Sequence, residues 1–148
     1  MSFKVEKMCR SCRKHRRGAA AVEFAIVAPV FFLMILGMIE VGRAVMVQQI
    51  ITNASREGAR LAVLPGTTAT DVTNRVEEIL ANQTVTGATV EILDESGGVV
   101  DPTTAQYGDV IKVTVSVPFS NVSWMPPWKY FKDKTLVAST IMRTERVQ

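Results

Sequence analysis

The chain has 148 residues, 47% of them hydrophobic, and a formal net charge of +3; with one apolar helix set aside, about a hundred residues remain, room for a single modest domain. The charge is unevenly spread, because residues 1–18 carry seven basic residues against Glu6, while the remainder holds 10 basic and 13 acidic residues. A basic tail on a slightly acidic body argues against a nucleic-acid-binding domain and for a topology signal, since an apolar run follows the tail at once.

Cys9 and Cys12 are the only cysteines, and both lie in the basic tail. No disulfide is therefore expected in the later part of the chain. Cys-x-x-Cys near His15 invites a metal or haem reading. Haem attachment needs the histidine directly after the second cysteine, where Arg13 stands, and structural zinc needs a fourth ligand that this segment lacks. The pair is expected to be ordinary reduced thiols, with no metal and no cofactor.

From Ala19 to Ile39 the chain is apolar for 21 residues, broken only by Glu23. A helix of that length measures about 31 Å, the thickness of a bilayer's hydrocarbon core. Residues 19–40 are accordingly expected to be a transmembrane helix in a lipid bilayer. The competing reading is the buried helix of a soluble protein, but nothing else in so short a chain is apolar enough to surround it. The basic residues ahead of the span place residues 1–18 in the cytoplasm and residues 41–148 outside it. Pro29 is expected to kink the span, and Gly37 and Gly42 to loosen it or admit a neighbouring helix.

The helical pattern continues beyond the span. Val41, Val45, Gln48, Ile51 or Thr52, Ser55, Ala59 and Ala62 form a mostly small and apolar stripe, with Arg43, Gln49, Arg56 and Arg60 on other faces. Pro65-Gly66 is a stop signal. One long helix is expected from about Ala19 to Leu64, its first half in the membrane and its second half amphipathic. A short second helix should start at Thr70-Asp71 and run to about Asn82, with Val72, Val76, Ile79 and Leu80 at helical spacing.

After it the period changes to two. Thr89 to Leu93 reads as a strand, Asp94 to Gly98 as a turn, and Val99-Val100 as a short return. Asp109 to Val117 alternates most cleanly, with Ile111, Val113, Val115 and Val117 on one face; Thr135 to Thr144 is expected to be the last strand. Between them Trp124-Met125-Pro126-Pro127-Trp128 must be a loop, because its prolines cannot join a ladder. Its tryptophans suit either the edge of a small core or a membrane interface. The fold expected is α+β: a long helix, a short helix and a small antiparallel sheet packed on the long helix.

The segment Arg16-Arg17-Gly18-Ala19-Ala20-Ala21-Val22-Glu23-Phe24 stands directly before the span. A secretory signal carries its small-residue cleavage site after the apolar region, whereas here Gly18 and three alanines precede it. Cleavage on the cytoplasmic side would leave the helix attached to the mature protein. In this respect the segment resembles the processing site of class III prepilins, which are cut after a glycine and keep a glutamate at the fifth mature position. Gly18 and Ala19 would flank the cut and Glu23 would be residue five. The Phe-Thr-Leu-Ile-Glu of other type IV pilins is replaced here by Ala-Ala-Ala-Val-Glu-Phe, which points to the tight-adherence (Flp pilus) branch. Within it the chain resembles TadE-like pseudopilins, also over Gly37-Met38-Ile39-Glu40-Val41-Gly42-Arg43-Ala44 and Asn53-Ala54-Ser55-Arg56-Glu57-Gly58-Ala59-Arg60-Leu61-Ala62.

The resemblance implies a minor pseudopilin or assembly component of a Flp-type pilus or related secretion system, anchored once in the bacterial cytoplasmic membrane. Its implied partners are a prepilin peptidase and other pilin subunits, with Glu23 pairing with an α-amine to set register between helices. Independently of that, a carboxylate in an apolar segment costs about 2.5–3.5 kcal/mol on insertion scales and calls for a partner. The α-amine freed at Ala19 would lie one helical turn away. The Arg56–Arg60 stretch suits a docking face or, more simply, a face on which the chain's own sheet packs. No catalytic constellation, phosphate loop or metal spacing is found, so no enzyme activity and no small-molecule substrate are expected. The alternative from another class is an unprocessed, signal-anchored binding or sensory module.

Overall fold

The computed structural model describes residues 5–123 and 134–145, with side chains from residue 18 onward. It has the expected α+β composition: helices α1 (Val5–Ala62) and α2 (Ala69–Asn82), then strands β1 (Thr89–Leu93), β2 (Val110–Pro118) and β3 (Thr135–Arg143). The chain divides into two compact units, Met1–Ile39 and Glu40–Gln148.

The described part of the first unit is helix alone, and α1 runs through Pro29 without interruption. Its large apolar side chains are exposed on every face of the helix, Val30 at 67% and Phe31 at 51% among them. That is the surface of a helix whose apolar residues have no core of their own to fill.

In the second unit α1 becomes one wall of a core. Val47, Ile51, Ala54, Ser55, Gly58, Ala59 and Ala62 are buried, at the spacing of a single helical face. The expected stripe had the right phase from Ile51 onward, but Val41 and Val45 are 64% and 55% exposed. Burial on α1 begins at Val47; Val41 shares the angular position of the buried Ala59, so its place along the helix and not its face leaves it exposed.

α1 ends at Ala62. Pro65 disfavours helical backbone at Leu64, and Gly66 takes a left-handed φ of +81° that reverses the chain. α2 then starts one residue earlier than expected, capped by Thr68. The Asp71 amide donates to the Thr68 hydroxyl at 3.2 Å, and the Thr68 amide donates to Asp71 Oδ2 at 3.0 Å, a reciprocal capping box. The Thr68 amide and then the Thr68 hydroxyl, which donates to Asp71 Oδ2 at 2.7 Å, hold the Asp71 carboxyl below its ordinary pKa. Val72, Val76 and Leu80 fill the inner face of α2.

The sheet is fully antiparallel in the order β1-β2-β3. Ile92 of β1 and Thr140 of β3 both stand opposite Val113 of β2, which fixes the register on either side. On the central strand Ile111, Val113, Val115 and Val117 are at most 1% exposed, and each contributes about 1.5–3 kcal/mol by leaving water. Their alternates Lys112, Thr114 and Ser116 are half-buried on the other face.

One expected strand is absent. Val99 makes only an isolated bridge to Leu93, and the Val100 amide donates to the Ile92 carbonyl. The chain then leaves the sheet because Asp101-Pro102 opens a short 3-10 turn, where proline has no amide to extend a ladder. At the other end, the Gly108 and Thr144 backbones close the sheet past β3, with the Thr144 amide donating to Asp109 and the Gly108 amide to Thr144.

Candidate functional site

Gly18, Ala19 and Glu23 lie together on α1, all exposed. The Gly18–Ala19 peptide bond sits in helical backbone, and a Cβ built on Gly18 would have nothing within 4 Å. Glu23 stands one turn after Ala19, the i, i+4 spacing at which a carboxylate and a new α-amine can meet.

Within the second unit, the part of α1 from Glu40 onward makes polar contacts with later segments of the chain. Ser123 Oγ donates to Glu40 Oε1 at 3.2 Å, and Arg43 Nε donates to the Val122 carbonyl. Both acceptor and donor belong to the chain just after the 3-10 turn at Phe119–Asn121. One turn further, Gln48 Nε2 donates to the Val137 carbonyl of β3 at 3.0 Å. Sequence reasoning missed these ties. Their only trace in the sequence is that Glu40 and Arg43 interrupt an otherwise apolar helix.

The later part of α1 packs closely. Ser55 Oγ donates to the Thr52 carbonyl at 2.9 Å and lies 2.8 Å from Thr140 Oγ1, so the Thr140 hydroxyl is left to donate to Ser55. Gly58 meets α2 and β2 so closely that a Cβ there would stand 2.7 Å from Val76 Cγ2 and 3.3 Å from Val113 Cγ1. The small residues of the Asn53–Ala62 stretch are thus the face on which the second unit packs. Arg56, Glu57 and Arg60 point away from it, and the Arg60–Glu57 ion pair at 3.4 Å is exposed and contributes little.

Residues 18–60 match the family model of the TadE-like protein. The TadE-like segment begins at Gly18 and takes in Ala19, Glu23, the Glu40 and Arg43 ties and the small residues through Gly58 and Ala59. No curated protein and no solved structure matches the chain. The helix is long and apolar enough to cross a membrane.

Elsewhere the unit has a shallow cleft flanked by acids, lined by Asp94, Glu95, Ser96, Asp109 and Ile111 among others. Two of its carboxylates are engaged: Asp94 Oδ1 accepts from Ser96 Oγ at 2.7 Å and from the Gly98 amide at 2.8 Å, and Asp109 Oδ2 accepts from the Gln106 amide. The Ser96 hydroxyl, then the Gly98 amide, hold Asp94 below its ordinary pKa. Among the described residues, no group of three or more His, Cys, Asp or Glu could hold a metal ion. The side chains of Cys9, Cys12 and His15, and the loop Trp124-Met125-Pro126-Pro127-Trp128, lie outside the described residues.

Proposed function

We propose that the chain is a minor pseudopilin or assembly component of a Flp-type, tight-adherence pilus or a related secretion system, cut by a prepilin peptidase between Gly18 and Ala19. The observation that carries this reading is the TadE-like match beginning at Gly18, at the head of an exposed apolar helix.

The work of such a protein is mechanical. The basic residues 1–17 hold the N-terminus in the cytoplasm and the second unit outside, in a bacterial cytoplasmic membrane. Hydrolysis of the Gly18–Ala19 amide leaves a carboxylate on Gly18, which departs with the leader, and an ammonium on Ala19, which stays with the helix. That ammonium is the natural counter-ion for Glu23, either in its own chain or in a neighbouring subunit. A neighbour's amine would lock two helices in one register, because a carboxylate left unpaired among apolar side chains costs several kcal/mol. The remainder of the helix supplies an all-apolar surface for lateral association, and the outer unit presents itself to pilus partners. No catalytic role is assigned to the chain.

The test is intact mass and N-terminal sequencing of membrane-extracted protein made beside its candidate peptidase. The expected product starts at Ala19 and disappears in Gly18→Ala. A chain that keeps residues 1–18 beside an active peptidase would sink the processed reading and favour the signal-anchored module.

A further inference from the structure

The exposed apolar surface of α1 does not stop where the span was expected to end. Past Glu40, Val41, Val45 and Met46 remain 64%, 55% and 57% exposed, and the exposed positions turn polar only from Gln49, through Asn53, Arg56, Glu57 and Arg60. Ala19 to Met46 is 28 residues, or about 42 Å of helix, which matches a whole bilayer including its headgroup layers, whereas the stretch to Ile39 matches the hydrocarbon core alone.

The charged residues fall where such a layering requires them. Glu23 lies near one end of the stretch and Glu40 and Arg43 near the other, and none stands between Phe24 and Ile39. At the outer end both are bonded to protein, Glu40 accepting from Ser123 and Arg43 donating to the Val122 carbonyl. They therefore tolerate a half-wet, half-apolar layer. The same turn is joined to Lys134, whose carbonyl accepts from the Phe119 amide at 2.8 Å, and the Lys134 side chain is exposed. An ammonium at that level meets headgroup phosphates.

We propose that the second unit is seated in the outer headgroup layer, with lipid against the exposed side of α1 as far as Met46 and the Phe119–Asn121 turn lying in the same layer, rather than held clear of the bilayer on a helical stalk. The inference rests on the span reading. Lipid is chosen as the occupant because the exposed apolar surface is continuous from the span and all-round within it, with no separate stripe of its own.

The experiment uses the full chain with Cys9→Ser and Cys12→Ser, which removes both native thiols. An environment-sensitive fluorophore is placed on single substitutions Phe31→Cys, Val41→Cys, Val45→Cys, Met46→Cys, Asn53→Cys and Arg56→Cys in phosphatidylcholine vesicles. Quenchers are carried either at mid-chain or close to the headgroup. The expected result is mid-chain quenching at position 31, at least a twofold loss of emission at 41, 45 and 46 with the headgroup quencher, and water-like emission at 53 and 56. Quenching at 31 without quenching at 41, 45 and 46 overturns the seating while leaving the span intact. Protection at those sites without lipid quenching, together with chain-to-chain disulfides through Val45→Cys, overturns it in favour of a second copy. No quenching at 31 removes the span reading and the seating together.

Discussion

Gly58 and Ser55 decide how close α1 comes to the rest of the outer unit. A side chain on Gly58 would press on Val76 and Val113, which are fully buried and stiff at χ1. Replacement by alanine restores about 1 kcal/mol of helix propensity, but a larger branched residue only adds volume. Gly58→Val is therefore expected to destabilise the outer unit by about 1–3 kcal/mol. Urea unfolding of the detergent-extracted chain, followed by tryptophan emission, checks this; an unchanged midpoint would contradict the close approach. Ser55 and Thr140 form a hydroxyl pair on the same face. Ser55→Ala and Thr140→Val should each cost about 1 kcal/mol. The double variant should lose less than their sum, because the second change removes a bond that the first has already broken. The sequence placed Ser55 correctly on the packed face, since it follows Ile51 by one turn. It could not disclose Thr140 as partner, because a contact across 85 positions leaves no local pattern.

Elements were legible in proportion to the regularity of their surroundings. β2 is central, with one face fully buried, so its alternation is clean and its predicted bounds fall within one residue of those observed. β3 lies at the sheet's edge, where Val137 and Ile141 are 50% and 63% exposed, and apolar side chains on both faces blur its period. Val99-Val100 misled because β-branched residues favour strands, while the proline two positions on decides against one. α2 is defined mainly by its cap, and that cap gives it a pH dependence. The Asp71 pKa is lowered in the folded chain, so its stabilisation is complete above the unfolded value of about 3.9 and is lost as pH falls through the folded value. Stability should thus be flat from neutral pH to about pH 5 and decline in more acidic solution. Asp71→Asn should remove part of that decline, leaving the shares of Asp94 and Asp101, which are lowered by their own turn hydrogen bonds. Urea midpoints measured against pH for both chains decide it; identical acid profiles would mean that the capping carboxylate is not coupled to folding.

At the scale of the whole molecule, the long apolar helix and the small residues of its later part were readable, because helix length and an apolar run are matters of linear composition. The polar contacts within the second unit were not, since Glu40 and Ser123 are 83 positions apart. This separation of roles bears on Glu23. Among the described residues every buried apolar residue of the core lies at Val47 or later, so the stability of the second unit is expected not to depend on Glu23. Replacing its charge with a neutral amide should ease entry into the membrane, by at most the 2.5–3.5 kcal/mol or so that a carboxylate costs there. Glu23→Gln is therefore expected to insert as well as the parent chain and to keep the same urea midpoint. If the carboxylate serves to pair with a neighbouring subunit's α-amine, the variant should lose crosslinking to other pilin subunits in membranes where the parent chain is captured. Parent-level capture by Glu23→Gln would mean that the apolar helix surface alone holds the subunits together, and that Glu23 is only tolerated at the headgroup level. A lowered midpoint would instead place Glu23 in the fold, against the division into two units.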